Sequence, residues 1–155
     1  MTSLALLTVP SVKTLNFGKT GLRNTLSVFT RNNYFSSLIN FLNSLQYKIA
    51  FRGAQLLKIG GRLVYSTCSL YPLEDEAVVA QILRKSRGAL RLVDVSQEIP
   101  GLKRNPGITR WQVMDRDMQW YETCPENKAH KLPLSLWPPT ESEIAEFHLE
   151  RTYAL

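Results

Sequence analysis

Acidic side chains are missing from the first 73 positions of this 155-residue sequence, where eight Lys and Arg stand without a counter-charge. Residues 74–155 hold eleven basic and thirteen acidic residues, so the overall charge of +6 belongs to the first half. A basic half suits contact with phosphate. A second reading is that two stretches of unlike composition were joined, since the cations are dispersed and form no Arg-rich stripe. Cysteine is scarce: only Cys68 and Cys124 occur. Two thiols so far apart argue against a disulfide scaffold and a zinc site, and they suit a reducing compartment. No run of eighteen apolar residues exists, so no membrane-spanning helix and no membrane partner are predicted. His130 and His148 lack ligand-like partners at useful spacing, and no metal is expected. There is no internal repeat and no low-complexity tract. The composition as a whole, 44% hydrophobic and 21% charged, is ordinary for one globular domain with its own core.

Residues 1–43 are rich in Ser, Thr and Asn, with Lys13, Lys19, Arg23 and Arg31 scattered among them. Abundant hydroxyls without acids are a feature of mitochondrial transit peptides, but the cations are sparse and the apolar residues keep no clear helical period. The segment reads as a poorly ordered extension to a domain at 44–155. From residue 44 structure signals begin. Leu45, Ile49, Leu56 and Leu57 recur at helical spacing, with Ala50, Gly53 and Ala54 between them, predicting an amphipathic helix over 44–59. Gly60-Gly61 ends it. Arg62 to Thr67 reads as a short buried strand, and Ser69 to Pro72 as a loop. Pro72 opens a helix whose first turn holds Glu74, Asp75 and Glu76, where negative charge suits the helix dipole. Ala77, Val78, Ala80, Ile82 and Leu83 supply its apolar face. Gly88 closes it, and Ala89 to Val95 read as another strand. This alternation means an α/β layer with a mostly parallel sheet, in an order that suits the second half of a doubly wound fold. Further on, Ile99-Pro100-Gly101 and Asn105-Pro106-Gly107 are turn signals. Trp111 to Val113 reads as a short strand and 120–139 as a long excursion. Thr140-Glu141-Ser142-Glu143 starts a helix that runs through Phe147. No closing strand is expected before Leu155.

Cys68 is placed where a strand ends and a loop leads into a helix. In open α/β sheets ligands bind at this carboxyl edge. The helix N-terminus favours a thiolate, and the three acids oppose it by a similar amount, about 0.3–1 kcal/mol for each charge. Free cysteine more often packs as a small hydrophobe, so position alone leaves both roles open. A phosphatase-type loop would need arginine six residues on, where Glu74 stands. A redox pair would need cysteine where Tyr71 stands. Cys124, in the proline-bearing stretch Glu122 to Pro125, reads as structural or incidental.

Arg62 to Ser69, followed by Pro72 to Val78, resembles the nucleophile motif of the Nop/Sun family of RNA cytosine carbon-5 methyltransferases. The likeness continues through Leu45-Gln46, Ile49 to Ala54, Asp94-Val95-Ser96, Pro100-Gly101-Leu102, Pro106 to Thr109 and Trp111. It resumes at Trp137-Pro138-Pro139 and His148 to Arg151, and is greatest to the eukaryotic tRNA branch, over about 43–153. The resemblance implies an S-adenosylmethionine-dependent, Rossmann-like catalytic domain, represented here by its C-terminal part. It implies RNA, chiefly tRNA, as partner, a nuclear or nucleolar location, and Cys68 as the thiolate that adds to carbon 6 of cytosine. The mitochondrial address stays open on residues 1–43. The family's Asp-x-Pro-Cys loop and its Gly-rich cofactor loop do not occur in this chain, so no cofactor-binding residue is named. The expectation is a chain that alone neither binds the methyl donor nor turns over; the alternative is a non-catalytic remnant that binds RNA or a protein partner.

Among cations, Arg62, Lys103, Arg104 and Arg110 are the candidates for RNA backbone contact; each also fits an exposed, solvated charge. Arg52 and Lys58 fit solvated positions better. Trp111, Trp120 and Tyr121 could stack on bases, though core or loop packing is the commoner fate.

Overall fold

The computed structural model describes residues 3–8, 34–98, 100–101, 103–115, 117–124 and 132–154. It departs most from the sequence reading inside 1–43. Residues Ser3–Thr8 form strand β1, and helix α1 covers Tyr34–Gln55, starting well before residue 44. Apolar residues at 35, 38, 39 and 42 carry the helical spacing of that first stretch. Positions 9–33, which hold the scattered cations of the transit-peptide reading, lie outside the described residues.

Strand β1 is the centre of the main sheet. Along one edge it pairs antiparallel with β2 (Arg62–Thr67), in register from Ser3 opposite Thr67 to Thr8 opposite Arg62. Its other edge is shared. Strand β3 (Arg91–Leu92) pairs with Leu7 and Thr8. Strand β7 (Tyr153–Ala154) pairs with Ser3 and Leu4, and β4 (Asn105–Pro106) lies outside β7. Strands β5 (Val113–Met114) and β6 (Trp120–Tyr121) form a separate two-stranded ribbon.

Two expectations are corrected here. The sheet is not mostly parallel: every pairing among the described residues is antiparallel. Strands β2 and β3 both oppose β1 and so run in the same direction. The crossover from β2 through helix α2 (Glu76–Ser86) to β3 is therefore a βαβ unit with β1 seated between its two strands. Nor does the chain end without a strand, since β7 joins the sheet next to β1. The class remains α/β.

One sheet face is covered. Ala5 and Leu7 of β1 are buried and stand opposite Tyr65 and Leu63 of β2. Those residues share a core cluster with Ala50 and Ala54 of α1 and with the apolar residues of α2. On the other face Val64 is 59% exposed. Helix α2 follows its sequence closely. Ala77, Val78, Val79, Ala80, Ile82 and Leu83 are all buried, and the helix stops where Arg87 (φ 51°) and Gly88 (φ 78°) turn left-handed. Its start differs. Pro72–Glu74 form a short 3-10 turn, and the α-helix begins only at Glu76.

Helix α1 buries a different stripe from the one its large aliphatic residues suggested. Leu45, Ile49 and Leu56 are exposed, Ile49 by 65% and Leu56 by 71%. The buried stripe is Asn43, Ala50 and Ala54, flanked by Tyr47, Phe51 and Leu57. Small residues let the helix axis approach the sheet. A β-carbon on Gly53 would already stand 3.3 Å from Leu63 Cδ1. Asn43 is fixed by donating from Nδ2 to the carbonyl of Leu73 at 2.7 Å.

The C-terminal third is fastened by Arg84, whose guanidinium donates to both carboxylate oxygens of Glu143, at 2.8 and 3.0 Å, and to the Trp137 and Pro138 carbonyls. Glu143 belongs to helix α3 (Glu141–Phe147), which opens with the expected capping box. Thr140 Oγ1 accepts from the Glu143 N–H, and Glu143 accepts from the Thr140 N–H. No helix among the described residues is long and apolar enough to cross a membrane.

Candidate active site

Strand β2 delivers the cysteine. Leu63, Tyr65 and Thr67 alternate towards the helices while Arg62, Val64 and Ser66 face outward. The strand ends at Thr67, and Cys68 sits one residue beyond, exposed, at a bend. Two hydroxyls shape that bend. Thr67 Oγ1 accepts the backbone N–H of Ser69 at 3.1 Å, bridging across Cys68. Ser69 Oγ accepts the backbone N–H of Tyr71, also at 3.1 Å. The loop is thus curled by short-range side-chain to backbone bonds, and the thiol between them reaches solvent. An exposed sulfur at a strand's carboxyl end can meet an electrophilic carbon; one sealed in the core could not.

The three acids after Pro72 have separate fates. Glu74 faces the loop. Its Oε1 accepts from Ser69 Oγ at 3.3 Å and its Oε2 from Gln46 Nε2 of α1 at 3.2 Å. Its carbonyl accepts the Tyr65 hydroxyl at 2.6 Å. Desolvation pushes that Tyr65 hydroxyl well above the ordinary phenol range, helped by the charges of Asp75 and Glu74. Asp75 is only 3% exposed. Burial, and then the neighbouring Glu76 charge, raise its carboxyl to about 7. Glu76 is also buried, and its carboxyl is raised by desolvation although it accepts the Ile108 N–H at 3.0 Å. Only Glu76 lies within the first turn of α2. The sequence reading placed all three there and named no buried acid. The run of three acids gives no local signal for which of them is buried.

The other candidates do not gather at Cys68. Arg62 stands at the far end of β2, roughly 20 Å away for a six-residue strand, and pairs with Glu98 at 2.9 Å. Arg104 is half-buried and donates to the Val95 and Ser96 carbonyls. Arg110 is exposed and paired with Glu141 of α3. Lys103 is exposed and makes no ion pair among the described residues. Arg52 and Lys58 are exposed, Arg52 donating to Gln55 on its own helix. Trp111 is buried, its Nε1 donating to the Leu136 carbonyl at 2.8 Å, which makes it a core residue. Tyr121 packs against the same core, while Trp120 is 54% exposed. Cys124 is half-buried against the core. His148 is exposed beside Glu150, and His130 lies outside the described residues. No group of three or more metal-ligating side chains occurs among the described residues.

An adenosine-bearing methyl donor needs a turn where backbone can approach it closely and a carboxylate offered to its ribose. No glycine-rich turn links a strand to a helix among the described residues. The acids nearest Cys68 are buried, as Asp75 and Glu76 are, or hydrogen-bonded within the loop, as Glu74 is. The described residues do not fit that group.

Residues 30–140 match the family model described as 16S rRNA methyltransferase RsmB/F. The chain is 48% identical over 112 residues to a multisite-specific tRNA:(cytosine-C(5))-methyltransferase of Schizosaccharomyces pombe, covering 71% of this chain and 16% of that protein. It is 41% identical over 114 residues to a tRNA (cytosine(34)-C(5))-methyltransferase of Drosophila melanogaster, covering 71% and 15%. It is 43% identical over 109 residues to a multisite-specific tRNA:(cytosine-C(5))-methyltransferase of Saccharomyces cerevisiae, covering 70% and 15%. The match spans about a sixth of the length of these relatives. No solved structure matches.

Proposed function

We propose, from the premise that the chain belongs to the RsmB/F family of RNA methyltransferases, the Nop/Sun enzymes its motif resembles, that Cys68 is the nucleophile of a site that methylates cytosine carbon 5 in tRNA. The exposed thiol at the carboxyl end of β2 carries this reading. Carbon 5 of cytosine is a poor nucleophile on its own. A thiolate bonding to carbon 6 moves the ring's π pair onto carbon 5 and makes it one. The base must first leave its stack, at a cost of a few kcal/mol, and a loop projecting from a sheet edge can reach an unstacked base. S-adenosylmethionine is the donor the family implies. This chain supplies the nucleophile, and its described residues supply no donor site. Lys103 is the cation assigned to RNA backbone, because Arg62, Arg104 and Arg110 are engaged within the chain. The same reading places the protein in the nucleus or nucleolus.

Two assays test it with labelled donor and tRNA. The chain alone should transfer no methyl above a Cys68→Ala control. A chimera should methylate tRNA when its matched 112-residue segment in the S. pombe relative is replaced by this chain's residues, and should lose at least about a thousandfold on Cys68→Ala, as expected for loss of a covalent nucleophile. Activity of the chain alone, or a Cys68→Ala chimera as active as its parent, overturns the proposal.

A further inference from the structure

We infer that Glu74 is the positioning residue of the cysteine loop, acting through hydrogen bonds that tie the loop to the helix behind it and not through its charge. The inference rests on the reading of Cys68 as nucleophile. Four contacts from three elements converge on this residue. Helix α1 contributes Gln46, which donates to Oε2 at 3.2 Å. Strand β2 contributes Tyr65, which donates to the Glu74 carbonyl at 2.6 Å. The loop itself contributes Ser69, which donates to Oε1 at 3.3 Å, and the Tyr71 carbonyl, which accepts the Glu74 N–H at 2.9 Å.

Ser69 is the link to the thiol. Its hydroxyl is bound by Glu74 on one side and holds the Tyr71 N–H on the other. Its own N–H reaches back over Cys68 to Thr67. A chain of bonds therefore runs from α1 through Gln46, Glu74 and Ser69 to Thr67, and Cys68 is the residue it spans. Without the Glu74 side chain, Ser69 keeps only the bonds within its own loop, and the direction of the Cys68 side chain is no longer referred to the rest of the protein. A glutamine at 74 can keep the ties. Its amide oxygen can accept from one partner, and its NH2 can donate to the hydroxyl of Ser69 or, after an amide rotation, to Gln46 Oε1. That oxygen is buried and has no hydrogen-bond partner among the described residues.

The test is the rate at which iodoacetamide alkylates Cys68, read by peptide mass spectrometry against Cys124 in the same full-length chain. Neither thiol needs RNA or donor, so the result stands apart from the fate of the methyltransferase reading. Glu74→Ala should change the Cys68 to Cys124 rate ratio at least fivefold, and Glu74→Gln should restore it to within twofold of the parent. Ser69→Ala should reproduce the Glu74→Ala ratio. A residue that only stabilises the fold would lower the melting temperature and leave the ratio unmoved. Glu74→Gln matching Glu74→Ala would mean that charge is what matters. An unchanged ratio in Ser69→Ala would break the link to the thiol, and that arm decides the question even if Glu74→Ala fails to fold. Any of these three results overturns the inference.

Discussion

Replacing Asp75 with asparagine should remove a pH dependence of stability that the parent chain carries. Asp75 is 3% exposed, and its carboxyl is raised from an ordinary 3.8 to about 7 by burial and by Glu76. The raised value fixes the sign. The folded chain holds the proton up to about pH 7, whereas the unfolded chain releases it near 3.8, so the native state binds more protons between those values. Stability tied to this group is fully present below pH 4, falls by about 1.4 kcal/mol per pH unit through the window, and is gone above pH 7. Between pH 5 and 8 the loss is about 2–3 kcal/mol, or about 5–10 °C of melting temperature for a chain of this size. Glu76, whose carboxyl is also raised, slopes the same way, so the informative quantity is the parent minus Asp75→Asn at each pH. That difference should shift in the variant's favour by the amount above between pH 5 and pH 8, in urea or thermal melts. Parallel parent and variant curves from pH 5 to 8 would refute the reasoning.

Arg84→Met should cost about 3 kcal/mol in urea unfolding, towards the low end for breaking a buried pair because Glu143 keeps 24% exposure. The double variant Arg84→Met, Glu143→Gln should recover part of that loss; additive losses would show that the pair is not coupled. Gly107→Ala should destabilise by about 3 kcal/mol in thermal melts. Its new β-carbon would overlap Thr152 Oγ1 and come within 2.5 Å of the Leu149 carbonyl, so adding Thr152→Ser should not restore stability.

Local signals in the sequence are legible where local physics decides. Helix α2 announced itself through its apolar face and a glycine stop. Helix α3 did so through its capping box, and β2 through its apolar residues, although one of its faces is exposed where a buried strand was expected. Non-local choices were opaque. Nothing in Ser3–Thr8 says that its partners are strands beginning at Arg62, Arg91 and Tyr153. In α1 the large aliphatic residues suggested the buried stripe, but tight packing against Leu63 favours Ala50, Gly53 and Ala54, leaving Ile49 and Leu56 outside. Residue type alone does not separate free cations from paired ones. Whether an arginine meets an acid of its own chain, as Arg62 meets Glu98 and Arg110 meets Glu141, depends on loops far away in sequence.

The position of β1 also sets a timetable for synthesis. Ser3 is registered against Ala154, so a strand made early in this sequence shares a ladder with one made much later. The early strand's other neighbour, β2, is made while the C-terminal third is still untranslated. Contacts of such long range close late and slow folding. During the interval the open edge of the nascent sheet, with its unpaired N–H and C=O groups, has no native strand to occupy it, which is when a chaperone would have the most to hold.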